Sequence, residues 1–572
     1  IILGLGVAAF FMQGCDFLDR TPEDIIETGK FFESANANAL EQYCNDFYPK
    51  LINGHGAPKG YNSMLEDDWN SDNILPWEKN DVSFGHQIAV KNASDEGSDW
   101  KWENIRACNE FLMNYEKSPE TEIVKQQYAG EILFFKCMDY FNKVRKYGDL
   151  PWYDTALTPS DTEELYKGRD SRILVMDNVL RDINQAIAWL PKKTKVYRVS
   201  KDAALALKAR ICLFEGTYRR YHNIENDTKF LQAAYDAAGE LMKSEYGYKL
   251  YEGTSPATAY HELFIQDNYN TNTEVILSKE YDPKVDKGNN VTRQLRLGEM
   301  AQMMGMSKDC ADDYLTITGQ PYDQTGVTSV KDELENRDPR LLQTIATPYA
   351  GPYTYYLEGK RSSISSFLEG GTHSSTGYAI AKFYNEKEFS DTHGTLDAII
   401  FRYAEVLLIR AEAGAELGKD PELDLTVNAL RKRVGFNVKL TSSPATDPKL
   451  VAKHPIIKGT NADLIREIRR ERRVELFGEG LRYADLMRWG CGERLVAPKA
   501  GMMLYTDVYT PEEIAVLKTE VGTYADGSLD VYGKRVTTPA IFESPKHYLF
   551  SLPLNEMALN PKLKPNNPGW GD

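Results

Sequence analysis

The chain of 572 residues has a net charge of -16 and a pI near 5.2. That balance excludes nucleic acid and anionic lipid as principal partners, because both demand a surplus of Lys and Arg. Hydrophobic content of 42% and charged content of 27% are those of an ordinary globular protein with a large core, and a neutral or cationic ligand suits its surface.

The chain starts with an apolar run, IILGLGVAAFFM, followed by Gln13, Gly14 and Cys15. The run is too short to span a bilayer and ends on a small residue before a cysteine, as a secretory signal does before its cleavage site. Cys15 is therefore expected to be the mature N-terminus and to carry a thioether-linked lipid that tethers a soluble body to a membrane face. The other cysteines, Cys44, Cys108, Cys137, Cys212, Cys310 and Cys491, form no CxxC pair and read as buried thiols.

The segment EDDWNSDNILPWEK, 66–79, is the richest local cluster. Trp69 and Trp77 can serve as stacking plates, with Asp68, Asn70, Asp72 and Asn73 as hydrogen-bond partners for sugar hydroxyls, since a pyranose presents C–H on its faces and hydroxyls at its rim. The bland alternative makes both tryptophans core anchors. Asp68, Asn70 and Asp72 also have the alternate spacing that opens a calcium loop. Asn73 replaces the turn glycine and Lys79 stands where the bidentate glutamate belongs, which leaves room only for a looser structural calcium site.

Apolar residues at helical spacing predict helices over 129–146, 173–190, 203–218 and 230–242, stopped by Gly148 and Pro151, Pro191, and Gly247. Ala-rich faces, Ala203 to Ala209 and Ala233 to Ala237, allow close approach, as in tetratricopeptide hairpins, although the full repeat signature is absent. From 252 to about 396 the texture changes to short apolar runs broken by Gly, Pro, Asn and Asp with Tyr-rich loops, where binding residues collect. Helices return over 401–418, 423–434 and 462–477. The closing YLFSLPLNEMALNPKLKPNNPGW is too rich in Pro and Asn to be helical and is expected to wrap the surface. Within IREIRRERRVELFGEGLRYADLMRWG, pairs such as Glu467 with Arg470 and Arg472 with Glu475 sit three apart, so the charges read as a structural ion-pair network that neutralises itself on the helix.

Catalytic constellations are nearly lacking: there is no HExxH, GxSxG, GxxxxGK[ST] or GxGxxG after a strand. A glycosidase carboxylate pair assembled from distant positions is the enzyme alternative.

These segments also carry a resemblance. CDFLDRTPED, GEILFFKCMDYFNKVRKYGDLPW, RVSKDAALALKARICLFEGTY, FRYAEVLLIRAEAGAELG with NALRKRVGF, IRRERRVELFGEGLRYADLMRWG and the closing segment resemble, in order, a SusD/RagB-type nutrient-binding lipoprotein of the bacterial outer membrane. Departures are modest, such as Lys136 and Cys137 in place of Arg-Ala and Phe32 in place of Trp. The resemblance implies a mostly α fold with tetratricopeptide-like hairpins as scaffold, a loop-rich ligand region and few short strands. It divides the chain into a signal remnant (1–14), an N-terminal region (15–250) and a C-terminal region (251–572) with the ligand face at about 252–396. It implies a lipid anchor facing outward, a SusC-like TonB-dependent β-barrel as partner, and binding of oligosaccharide without catalysis or cofactor. By analogy of position, the ligand face comprises the early loop with Trp69 and Trp77 and the middle loops with Tyr281, Asn290, Arg296, Tyr353 and Tyr355. A peptide cargo, as in the RagB branch, is the nearest alternative; a surface glycoside hydrolase and a helical-repeat scaffold are the others.

Overall fold

The computed structural model describes residues 28–56, 63–95, 97–297, 304–346, 356–357, 360–361, 374–388 and 393–571. Cys15 lies outside them, and among the described residues no helix is long and apolar enough to cross a membrane.

The N-terminal half is built of helices that each lie against the next: α1 (Glu103–Asn114), α2 (Glu122–Tyr147), α3 (Arg172–Trp189), α4 (Lys201–Tyr221) and α5 (Asp227–Leu241). The caps are local chemistry. Ser171 and Ser200 accept the backbone N–H of Leu174 and Ala203, each at 3.3 Å, and so satisfy donors that the first turn leaves open. Gly148, at φ 73°, ends α2. The alanines Ala203, Ala204, Ala206 and Ala209 are all buried, and Gly216 permits α5 to close on α4, since a Cβ there would lie 2.7 Å from the Leu231 nitrogen. Cys44, Cys108, Cys137, Cys212, Cys310 and Cys491 are all free and buried, as expected.

The C-terminal half adds α6 (Tyr403–Leu417) against α5, then α7 (Val427–Arg433), α8 (Ala462–Glu475), which packs on α6, and α9 (Arg482–Arg488). Among the described residues four two-stranded antiparallel sheets accompany them: β1 (Ile74–Pro76) with β3 (Met304–Met306), β2 (Val275–Lys279) with β4 (Ala398–Arg402), β5 (Ala500–Met503) with β6 (Ser528–Asp530), and a two-residue pairing of Tyr356–Leu357 with Lys360–Arg361. Two expectations are corrected here. Phe401 and Arg402 are strand, and the helix starts at Tyr403, because the β-branched run before it pairs with β2. The closing segment contains a short helix, Leu554–Leu559, between its prolines, and Asn567 ties it to the carbonyls of Tyr147 and Phe550 at 2.9 and 2.7 Å.

The charged helix α8 is buried along its length, and its pairs are mostly tertiary. Glu467 and Arg470 do meet at 2.7 Å, but Arg472 pairs with Asp485 at 2.8 Å and not with Glu475. Glu475, fully buried, accepts from Arg402 at 2.8 Å, Arg433 at 2.6 Å and Arg340 at 3.1 Å. Arg402 also binds Glu274 at 2.9 Å and Glu479 at 2.7 Å. One carboxylate thus joins β4, α7, α8 and the helix Arg340–Thr344. Burial pulls the Glu475 carboxyl upward, but the charges of Arg433, Arg402 and Arg340 overcome it and hold it well below its ordinary value.

Glu475→Gln leaves three buried guanidiniums short of a counter-charge and is expected to destabilise the fold by about 3 to 5 kcal/mol in a denaturant titration. Asp424→Asn, which removes the exposed pair with Lys439, should leave the transition where it was. Because the folded-state pKa of Glu475 lies below the unfolded one, its contribution is fully present above the ordinary value of 4.5 and is lost as pH falls below it. The gap in melting temperature between the protein and Glu475→Gln should therefore narrow as the pH is lowered through that value.

Candidate ligand-binding site

The early loop is bolted to the C-terminal helices. Asp72 receives a two-pronged contact from Arg482 at 2.7 and 3.0 Å, with Arg473 at 3.2 Å and Arg494 at 3.6 Å. Burial raises the Asp72 carboxyl and these three arginines more than reverse that, so it stays ionised far into acid. Asn73 accepts from Arg473 at 2.8 Å and donates to Asp68 at 2.7 Å. Asp68 in turn accepts the backbone N–H groups of Gly478 and Gly480 at 3.1 and 2.7 Å. Burial lifts the Asp68 carboxyl to about 6 against the lowering effect of those hydrogen bonds. Gly480 has φ 72°, and a Cβ there would lie 1.9 Å from the Met64 carbonyl oxygen, so the turn after α8 requires glycine.

This corrects part of the sugar reading. Trp69 is 5% exposed and belongs to the second core, with Leu65, Ile74 and Phe477. Asp72 and Asn73 are buried structural ties, and the arginines around Asp72 oppose a calcium ion at Asp68, Asn70 and Asp72. Asn70 is half-buried and accepts from Asn80 at 2.8 Å. Trp77 is also half-buried, at the end of β1 where Pro76 pairs with Met304. The Arg535 guanidinium lies 3.2 Å from its ring centroid, so one face of the indole is occupied. Arg535 also donates to the Trp77 carbonyl at 3.0 Å, and burial lowers its own pKa to about 10.

The middle loop presents Tyr281 on a firm base. Its backbone N–H donates to the Asp397 carboxylate at 3.0 Å, and its half-buried ring stacks on His55 with centroids 6.1 Å apart. His55 Nε2 faces the Asp397 carbonyl oxygen at 3.2 Å, and burial lowers the imidazole pKa to about 4, so the ring is neutral at physiological pH. Burial raises the Asp397 carboxyl to about 7. Gly54 makes room for the tyrosine, since a Cβ there would lie 2.2 Å from the hydroxyl oxygen. Asn290 is half-buried, and its carbonyl accepts from Gln294 at 2.9 Å in the first turn of the helix Val291–Leu297. The Arg296 side chain, Tyr353 and Tyr355 lie outside the described residues. His55, Asp397 and Phe383, whose ring meets His55 at 5.4 Å, are residues that sequence reasoning missed. They are distant in sequence and no local pattern marks them.

The comparisons agree with this architecture. A profile described as SusD family matches residues 273–570, and one described as starch-binding associating with outer membrane matches residues 16–213. The chain belongs to the SusD family. SusD-like protein P38 of Formosa agariphila is 27% identical over 402 residues, covering 68% of this chain and 71% of that protein. SusD-like protein P2 of the same organism is 24% identical over 591 residues, covering 98% and 97%. Among solved structures, a SusD-like carbohydrate-binding protein from Bacteroides fragilis superposes with a TM-score of 0.72 at 22% identity, covering 93% of this chain and 100% of that one. A laminarin-binding SusD-like protein superposes with a TM-score of 0.60 at 18% identity, covering 93% and 98%. At such identities the structural likeness speaks for the fold.

The two tryptophans of the early loop should separate on truncation. Trp69→Ala removes a fully packed ring and is expected to cost about 3 to 5 kcal/mol of folding free energy. Trp77→Ala loses mainly the Arg535 stack and should shift the thermal midpoint much less; equal midpoints for the two variants would make Trp77 a core residue.

Proposed function

We propose that this protein is a cell-surface lipoprotein, anchored through Cys15 in the outer membrane, that binds oligosaccharides without altering them and delivers them to a SusC-like TonB-dependent β-barrel transporter. Membership of the SusD family over both halves of the chain carries the reading. The laminarin-binding protein of the same fold supports a glycan as cargo, as does a surface glycan-binding protein A from Bacteroides fluxus with a TM-score of 0.55. The chemistry of the loop face agrees. A tyrosine ring fixed by a backbone hydrogen bond and a neutral imidazole is a pre-ordered plate, so stacking a pyranose on it costs little conformational entropy. The helical body and its buried ion pairs hold that plate on a rigid support.

A glycan array probed with the purified protein identifies the cargo class; retention of peptides in place of glycans would move the protein to a RagB-like peptide role. With the cognate glycan, Tyr281→Ala should weaken binding by about 1 to 3 kcal/mol in titration calorimetry, the range of aromatic stacking on ring ligands and hot-spot truncation. Chain length of the bound glycan should stay constant over hours, and reducing-sugar release abolished by one carboxylate substitution would overturn the binding-only reading. Cys15→Ala should move the protein from membrane to soluble fractions in cells lacking the transporter.

A further inference from the structure

A concave site away from Tyr281 lies where the N-terminal helices meet the C-terminal stretch. Helix α1, the segment from Pro151 to Leu157, Tyr166, and the C-terminal stretch from Asn555 to Leu563 enclose a cleft of about 820 Å³. That volume is in the range of small-molecule sites. Trp102, just ahead of α1, and Glu103, Arg106 and Asn109, three apart along it, line one wall.

The walls are held by specific bonds. Asn109 donates to the carbonyls of Tyr153 and Thr155 at 2.9 and 3.0 Å, and Arg106 to that of Leu157 at 3.0 Å. The C-terminal stretch is tied across the opening by Asn555 to Asn92 at 2.6 Å and by Asn560 to the Lys167 carbonyl at 2.8 Å. Trp102 meets Trp100 and Tyr153 edge-on, at centroid distances of 5.3 and 5.5 Å, while Tyr166 stands 49% exposed at the lip.

With those bonds made, acceptors remain. Asn109 is fully buried, yet its Oδ1 has no hydrogen-bond partner. Its amide nitrogen fixes the wall, and the groups that meet the cleft are the more accessible ones around it, Trp102, Glu103, Tyr166 and Glu556. Among the described residues the Glu103 and Glu556 carboxylates also lack a partner, and burial raises the Glu556 carboxyl with no cation to oppose it. The charged residues of the lining, Lys101 and Arg106 against Glu103 and Glu556, cancel, which favours a neutral ligand over a cation. Aromatic and aliphatic faces beside hydrogen-bond acceptors complement a ring with C–H faces and a rim of hydroxyl donors.

We propose that this cleft is a second saccharide site, taking a neutral pyranose unit or a short run of them independently of the Tyr281 face. It goes beyond the uptake role and does not depend on which glycan that face binds. The signal lay in the tryptophans of DWKW, 99–102, and in PWYD, 151–154, which have the same texture of aromatics beside polar groups as the early loop.

The test is saturation-transfer NMR on the full chain with methyl β-D-glucopyranoside, cellobiose, laminaribiose and maltose as probes, and tetramethylammonium as a cationic control. At least one sugar should bind the unchanged protein and Tyr281→Ala alike. Its affinity should fall tenfold or more in a Tyr166→Ala, Glu556→Gln double variant whose thermal midpoint is unchanged; both side chains are partly exposed, and each single variant serves if the double one melts early. Binding by none of the sugars overturns the proposal. So does sugar binding that survives the double variant but disappears with Tyr281→Ala, a result that would leave the uptake role standing. Displacement of the sugars by tetramethylammonium, sensitive to Glu556→Gln, would make the cleft a cation site and would also overturn it.

Discussion

The buried carboxylate of Glu475 is the point on which the C-terminal half depends. Three guanidiniums from three separate segments converge on it, and all three reach further carboxylates: Arg402 reaches Glu274 and Glu479, Arg433 reaches Glu274, and Arg340 reaches Asp338 and Glu471. Burying so many charges is unfavourable for each one alone and acceptable only when every partner is in place. The arrangement therefore acts as a register: the helix Arg340–Thr344, β4, α7 and α8 come together in one geometry. From the other face of α8, Arg473 extends the same logic to Asp309 at 2.7 Å, Asp313 at 2.6 Å and the early loop through Asp72.

This constraint has a functional consequence. A surface that binds varied ligands needs loops free to differ, and loops free to differ cannot hold a fold. Here the holding is done below the loops. Asp68, Asp72 and Asn73 sit in the most polar stretch of the early chain, yet they belong to the foundation, and the half-buried rings beside it include Trp77 with Arg535 on one face and Tyr281 over His55. The N-terminal helices contribute differently, through apolar faces and small residues that let neighbours approach.

The proposed ligand surface differs chemically from that frame. Tyr281 is held by one backbone hydrogen bond and ring contact, with burial raising Asp397 to about 7 and lowering His55 to about 4. The His55 imidazole is therefore neutral at physiological pH, while the Asp397 carboxyl titrates near neutrality and still accepts the Tyr281 N–H. Around the second cleft the same chemistry recurs, with half-buried aromatic rings beside acceptors that have no internal partner.

The sequence by itself determined the helical N-terminal half, the buried free thiols and the family, because periodicity, caps and small-residue faces are local and survive reading one residue at a time. Helix ends fell within a few residues where Ser171, Ser200 and Gly148 mark them. The tertiary structure alone decided which charges are structural. Spacing on α8 pointed to pairs three residues apart, whereas Arg472 and Glu475 turn to Asp485 and to Arg340, Arg402 and Arg433, since a helix buried on all sides has its better partners on neighbouring elements. It also decided that Trp69 is buried in the core and that Trp77 is half-buried. The two share the same local composition, and only packing by segments hundreds of residues away distinguishes the fully buried ring of Trp69 from the half-buried one of Trp77 under Arg535.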